Sequence, residues 1–146
     1  MSKQFVIPKH VYWYVVNEIN MRKTYQAKIE DIDAEIQTLE NVRGTVTGTG
    51  GASYVVGDPA QAAALRAAEL KADREKYVKR TERINRAREQ FDGELRVIFD
   101  RRFWDEERQT HDAIMDELYI ADRNKYFEEM WPQVQYRTAF ILCPWP

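Results

Sequence analysis

The chain has a single cysteine, Cys143, so no intramolecular disulfide and no Cys-x-x-Cys metal site can form. This suits a reducing cytoplasm. No apolar run approaches the roughly 18 residues that a membrane span needs. No positively charged start followed by an apolar stretch marks a signal peptide. A basic excess is also missing: 22 Lys and Arg stand against 24 Asp and Glu, a net charge of −2. The protein as a whole is therefore no polycation, and any DNA binding must come from local patches. Catalytic signatures are absent. His10 and His111 lie far apart, and no H-E-x-x-H, G-x-x-x-x-G-K-[ST] or G-x-G-x-x-G occurs. Carboxylates sit among helix-face charges, and Cys143 has no neighbouring His. We expect no enzyme, no cofactor and no metal. Glycine and proline are scarce too, six and five, while 32% of residues are charged. That balance points to long, solvated helices.

The helices can be read from spacing. Pro8 fits a helix start, where its missing N–H costs nothing, and residues 1–7 read as a loose tail. Val11, Val15 and Ile19 lead into Tyr25, Ile29, Ile32, Ile36 and Leu39, a seam of alternating four- and three-residue steps. One helix is predicted from Pro8 to Val42. Five of the six glycines then cluster at 43–57: Gly44, Gly48, Gly50, Gly51 and Gly57. Gly44 suits a C-cap. The strand-like pieces Thr45–Thr47 and Tyr54–Val56 flank the glycines of what reads as a loop. Asp58-Pro59 is a strong helix start. Beyond it Leu70, Tyr77, Ile84, Phe91 and Ile98 recur every seven residues. Ala67, Arg74, Thr81, Arg88 and Leu95 fill the alternate seam positions, so the apolar stripe is thin. Such a stripe suits a coil of two or three helices and offers a route to self-association. Gly93 marks a kink or fray point.

From Leu95 the pattern changes to three short helices. Leu95–Trp104 comes first, then a polar break at Asp105–Gln109. Thr110 caps a second helix bearing Ile114, Met115 and Leu118. A Tyr119-Ile120-Ala121 turn leads to Asp122, which opens a third helix bearing Tyr126, Phe127 and Met130. Two short helices joined by a tight turn are the pattern of a helix-turn-helix. Pro132 is expected to break or kink the third helix. Trp104, Trp131 and Trp145 are expected to close the small core, and the end Cys143-Pro144-Trp145-Pro146 to lie as a tail. The expected fold is all-α. A long antiparallel, coiled-coil-like helical hairpin covers 1–92, with its Gly-rich loop at 43–57. A helix-turn-helix-like three-helix unit covers 93–146.

Charge is unevenly spread. Between Arg74 and Arg88 stand Arg74, Lys76, Lys79, Arg80, Arg83, Arg86 and Arg88, opposed only by Glu75 and Glu82. They can face a phosphate backbone, or pair with Glu30, Asp31, Asp33 and Glu35 of the first helix. From Glu89 to Asp122, eleven acids face only four arginines. In the helix-turn-helix reading, Arg123, Asn124 and Lys125 form the first turn of the recognition helix, where side chains reach base edges. Thr110, Arg101 and Arg102, with Arg80 and Arg83 upstream, complete the DNA-side set.

The opening Ile7-Pro8-Lys9-His10-Val11-Tyr12 and the Asp58-Pro59 start belong to this pattern. So do Thr110…Ile114…Leu118 and Asp122…Tyr126. Together they resemble the RinA/ArpU-like phage transcriptional activators, whose helix-turn-helix is similar to sigma factor region 4. The resemblance implies a phage or prophage regulator in the host cytoplasm. It would activate late packaging and morphogenesis genes by binding double-stranded promoter DNA and host RNA polymerase as a homo-oligomer, away from membranes. On the matching positions, Thr110 opens the first motif helix and Arg123, Asn124 and Lys125 face bases. The acid-rich surround, Pro132 and the Cys-Pro-Trp-Pro end depart from the pattern. A virion or small-terminase-like assembly component built from helical hairpins is the alternative, and a protein-only helical adaptor a third.

Overall fold

The computed structural model describes residues 6–48 and 59–143, with side chains at 6–41 and 59–143. Residues 1–5, residues 49–58, where most of the Gly-rich loop, Tyr54–Val56 and the helix start at Asp58 are expected, and residues 144–146 with Trp145 lie outside the described residues. The described chain is helical, without strands: α1 (Lys9–Asn20), α2 (Arg22–Gly48), α3 (Pro59–Glu89), α4 (Gly93–Phe99), α5 (His111–Glu117), α6 (Arg123–Lys125) and α7 (Trp131–Leu142). A π-helical turn, Asp100–Trp104, continues α4, and a second, Tyr126–Met130, joins α6 to α7.

Several boundaries differ from expectation. The helix predicted from Pro8 to Val42 is interrupted at Met21, and Pro8 caps it from outside. Arg22 explains the interruption: its Nη1 donates to the Ile19 carbonyl at 3.0 Å, satisfying an acceptor at the end of α1. Past Val42 the helix runs on to Gly48, so Gly44 does not end it and Thr45–Thr47 is helical rather than strand-like. Val6 and Ile7 are no loose tail. Ile7 is buried, and the Val6 N–H donates to Gln135 Oε1 at 3.1 Å.

Pro132 does not break the third helix, which runs unbroken from Arg123 to Leu142. In the wide π turn ahead of it, the Trp131 N–H bonds to the Tyr126 carbonyl, five residues back. That turn absorbs the missing N–H and the ring that would clash with an α-helical carbonyl.

Two compact units divide the chain, at places other than the expected boundary between 92 and 93. The chain-end unit comprises Met1–Arg22 with Glu82–Pro146, and the mid-chain unit is Lys23–Thr81. The physical reason is the seam itself. Its later members Ile84, Phe91 and Ile98 are fully buried in the core of the chain-end unit. That core is aromatic: Phe91 packs on Phe99, Phe99 on Phe103, and Phe103 stacks on Trp131, with Tyr12 against both Phe103 and Trp131. A large side chain fully withdrawn from water contributes roughly 1.5–3 kcal/mol. Two guanidinium groups lie over the Trp104 ring, Arg22 at 4.1 Å and Arg88 at 4.7 Å from its centroid. Arg88 is oriented by a two-pronged pair with Asp100, at 2.8 and 3.1 Å.

The mid-chain unit is thinner. Ile32, Ile36 and Leu70 form its buried cluster, with Leu39 and Tyr77 packed against it. Partners along α2 and α3 run in opposite order: Tyr25 meets Tyr77, Asp33 pairs with Arg74 at 2.6 Å, and Glu40 with Lys71 at 3.9 Å. Asp33 thus takes up Arg74 of the basic stretch, while Glu35 pairs with Arg66, ahead of that stretch.

Candidate nucleic-acid interface

Two capped helices define the candidate site. The Thr110 hydroxyl accepts from the Ala113 N–H at 3.1 Å, so α5 begins at His111. Its end is closed by two backbone bonds: Tyr119 N–H to Asp116 C=O at 3.2 Å and Ile120 N–H to Met115 C=O at 2.9 Å. These are the bonds of a Schellman motif, which needs a left-handed residue after the helix. Tyr119 fills that place with φ 56°. The chain then reaches Asp122, whose Oδ1 accepts from the Asn124 and Lys125 N–H groups at 3.0 and 3.3 Å. The caps expected at Thr110 and Asp122 are both present.

The faces are sorted by burial. Ile114 and Met115 of α5 and Tyr126, Met130 and Trp131 of the following helix are buried. Arg123, Asn124 and Lys125 are exposed at the helix start. His111 locks the two helices together. Its Nδ1 lies 2.7 Å from the Tyr126 hydroxyl, and its ring meets Tyr126, Phe127 and Trp131 edge-on. Burial, reinforced by the Arg102 charge, lowers the His111 pKa to about 4. The imidazole is therefore neutral near pH 7, and Nδ1 accepts from the phenol. Burial raises the Tyr126 pKa, so that hydroxyl keeps its proton. Nothing in the sequence pairs His111 with a tyrosine fifteen residues on; only the fold does.

The remaining candidate residues fall in different states. Arg123 Nη1 pairs with Asp112 Oδ1 at 2.6 Å, with its guanidinium over the Phe127 ring. Arg101 grips Glu117 through Nε and Nη2, both at 3.0 Å, and Asp105 through Nη1 at 2.9 Å. Those hydrogen bonds raise its pKa. Arg102 donates to the Gln109 carbonyl at 2.8 Å and lies over the Trp131 ring. Its role here is packing as much as charge. The side chains of Asn124 and Lys125 carry no bond within the described protein. Arg83 is exposed on α3 in the chain-end unit. Arg80 belongs to the mid-chain unit, where it donates to the Tyr25 hydroxyl at 3.0 Å. The structure thus gathers Thr110, Arg101, Arg102, Arg123, Asn124 and Lys125 in one unit with Arg83, and puts Arg80 in the other.

Of the expected core tryptophans, Trp131 is fully buried and Trp104 half-buried. Among the described residues no group of three His, Cys, Asp or Glu side chains could hold a metal ion. None of the described helices is long and apolar enough to cross a membrane. Comparison with protein-family models, with curated proteins and with solved structures finds no match.

Proposed function

We propose that this chain binds double-stranded DNA through a helix-turn-helix made of α5, the turn 118–122 and the helix starting at Arg123. One observation carries the reading. Two side-chain-capped helices are joined by a Schellman turn, and the second presents Arg123, Asn124 and Lys125 outward over a buried Tyr126, Met130 and Trp131. A recognition helix offers its first turn to the major groove in this way, and the capped pair supports that reading. Arg suits guanine and Asn suits adenine, while Lys125 and Thr110 suit phosphates. The mid-chain pairings fit an antiparallel hairpin. With the resemblance to RinA/ArpU-like activators, the function that follows is a phage-type transcriptional regulator. It would act on late genes in the host cytoplasm with host RNA polymerase as second partner.

Selection from a randomised duplex library at about 50 mM salt tests this. We expect enrichment of a defined site, and about tenfold or greater loss of affinity for it in Arg123→Ala and in Lys125→Ala. Absence of enrichment together with absence of any binding at that salt would sink the reading. Undiminished binding by both variants would sink the residue assignment alone.

One feature favours the alternative of an assembly component. The exposed side of α7 carries Phe140, 80% exposed, and Tyr136, 45% exposed. An aromatic stripe of this kind suits a protein surface better than a phosphate backbone. A multi-subunit ring seen by mass measurement, with no duplex affinity, would favour that reading.

A further inference from the structure

We infer that α5 works as a brake on non-specific DNA binding, with Asp112 holding Arg123 until DNA phosphate replaces it. The inference rests on the proposed DNA-binding function and concerns the regulation of that same site. Asp112 and Arg123 sit on the two different helices of the motif, and their side chains meet at 2.6 Å. Both remain well exposed, at 73% and 64% of the side chain, so the pair is open to exchange. An exposed pair of this kind contributes little to stability and is cheaply broken. Glu117 treats Arg101 in the same way, at 3.0 Å through two parallel bonds. Arg101 is also held by Asp105, so its release is harder.

The consequence lies in the ion count. A free arginine that meets a phosphate releases a condensed cation from DNA, and this drives non-specific binding. An arginine taken from Asp112 leaves a bare carboxylate beside the phosphates, whose repulsion offsets the attraction of the arginine. The two charges largely cancel, so Arg123 adds little to affinity for an arbitrary duplex. Its hydrogen bonds to a matching guanine are not cancelled. The brake therefore widens the gap between specific and non-specific binding while leaving the reading residues in place.

Fluorescence anisotropy of the full chain tests this, using a random-sequence duplex of about three helical turns across about 50–200 mM salt. Four variants are compared with wild type: Asp112→Asn, Asp112→Asn/Arg123→Ala, Glu117→Gln and Asp116→Asn. Asp116 is an exposed acid of α5 with no ion pair among the described residues, so its variant makes the same charge change without freeing an arginine from that set. Asp112→Asn should tighten binding by about three- to tenfold at low salt and steepen the log–log salt slope by about 0.9. Glu117→Gln should show a smaller gain, and Asp116→Asn little. The Asp112→Asn gain should vanish when Arg123 is also removed.

Equal gains from Asp112→Asn and Asp116→Asn, or a gain that survives loss of Arg123, would mean general charge repulsion and overturn the brake. Wild-type binding that Asp112→Asn leaves unchanged would overturn it as well, with the DNA reading intact. Wild type that binds its selected site but not the random duplex, with clear binding of the random duplex by Asp112→Asn, would support it strongly. No binding by any of these proteins overturns both.

Discussion

His111 shows how one side chain can carry a condition for the fold. Its ring is packed among Tyr126, Phe127 and Trp131, and its Nδ1 accepts from the Tyr126 hydroxyl. Only the neutral ring fits that arrangement, because the cation would lose the acceptor and meet Arg102 and Arg123. The folded-state pKa is about 4 against the ordinary 6.5, so the unfolded chain binds the proton more tightly. The stability from this site is fully present above pH 6.5 and is lost as pH falls toward 4. Allowing for the ring's partial solvent access, the loss is about 2 kcal/mol. Thermal unfolding of wild type and His111→Gln across that range measures it. Glutamine can still accept from Tyr126 but does not titrate. The wild-type melting temperature should fall more steeply with acid than that of the variant. Parallel curves would show that other groups carry the acid sensitivity. None of this was legible in the sequence, where His111 looks like a surface residue at a helix start.

At the level of elements, the sequence was a better guide to where helices begin than to where they continue. Thr110 and Asp122 could be read as caps because an N-cap is a local device: one side chain, bonded two or three residues on. The break between α3 and α4 was legible only as the kink or fray point at Gly93, which takes φ 55°; Asp92 before it makes no side-chain cap bond. The interruption at Met21 was not, because it depends on Arg22 reaching back to Ile19 while also bonding the Trp104 carbonyl. Pro132 also reads as a helix start, and it stands in the first turn of α7; the expected break does not occur, because the π turn before it takes up the missing N–H and the ring.

The turn after α5 contains a strained choice. Tyr119 takes the left-handed place that glycine normally fills, at a cost of roughly 1–2 kcal/mol. The ring is 94% exposed and recovers nothing through packing. Tyr119→Gly should therefore stabilise the protein by about 0.5–1 kcal/mol, a melting point higher by a few degrees. Tyr119→Val should lower it, since a β-branched residue is worse placed at positive φ. Calorimetry on the two variants checks the sign. A less stable glycine variant would mean that the tyrosine ring makes an interaction worth more than the strain.

For the molecule as a whole, the proposed DNA-binding role would divide attraction from reading along the charge pattern. The net charge is −2, so an approaching duplex meets no general attraction, and the acids between Glu89 and Asp122 work against one. Among the described residues of the chain-end unit, the exposed arginines without an ion pair include Arg83 and Arg86 on α3, upstream of the motif. Asn124 and Lys125 stand at the head of the second motif helix. The seam is covered within the chain: Ile32, Ile36 and Leu70 are buried in one unit and Ile84, Phe91 and Ile98 in the other. This explains why the heptads could be read so far along the sequence while the unit boundary could not. One continuous stripe serves two cores. If attraction and reading are separate, variants should separate them too. Arg83→Ala/Arg86→Ala should weaken binding to selected and random duplexes by a similar factor, and make the salt slope shallower by about 0.9 for each phosphate that is no longer neutralised. Asn124→Ala should weaken the selected site by about tenfold and leave random duplexes nearly unchanged, with the same salt slope. Anisotropy titrations of both variants on both duplexes, at two salt concentrations, decide the matter. A loss of sequence preference from the arginine pair would put base reading on α3 instead. A uniform loss from Asn124→Ala would reduce that residue to a role on the DNA backbone.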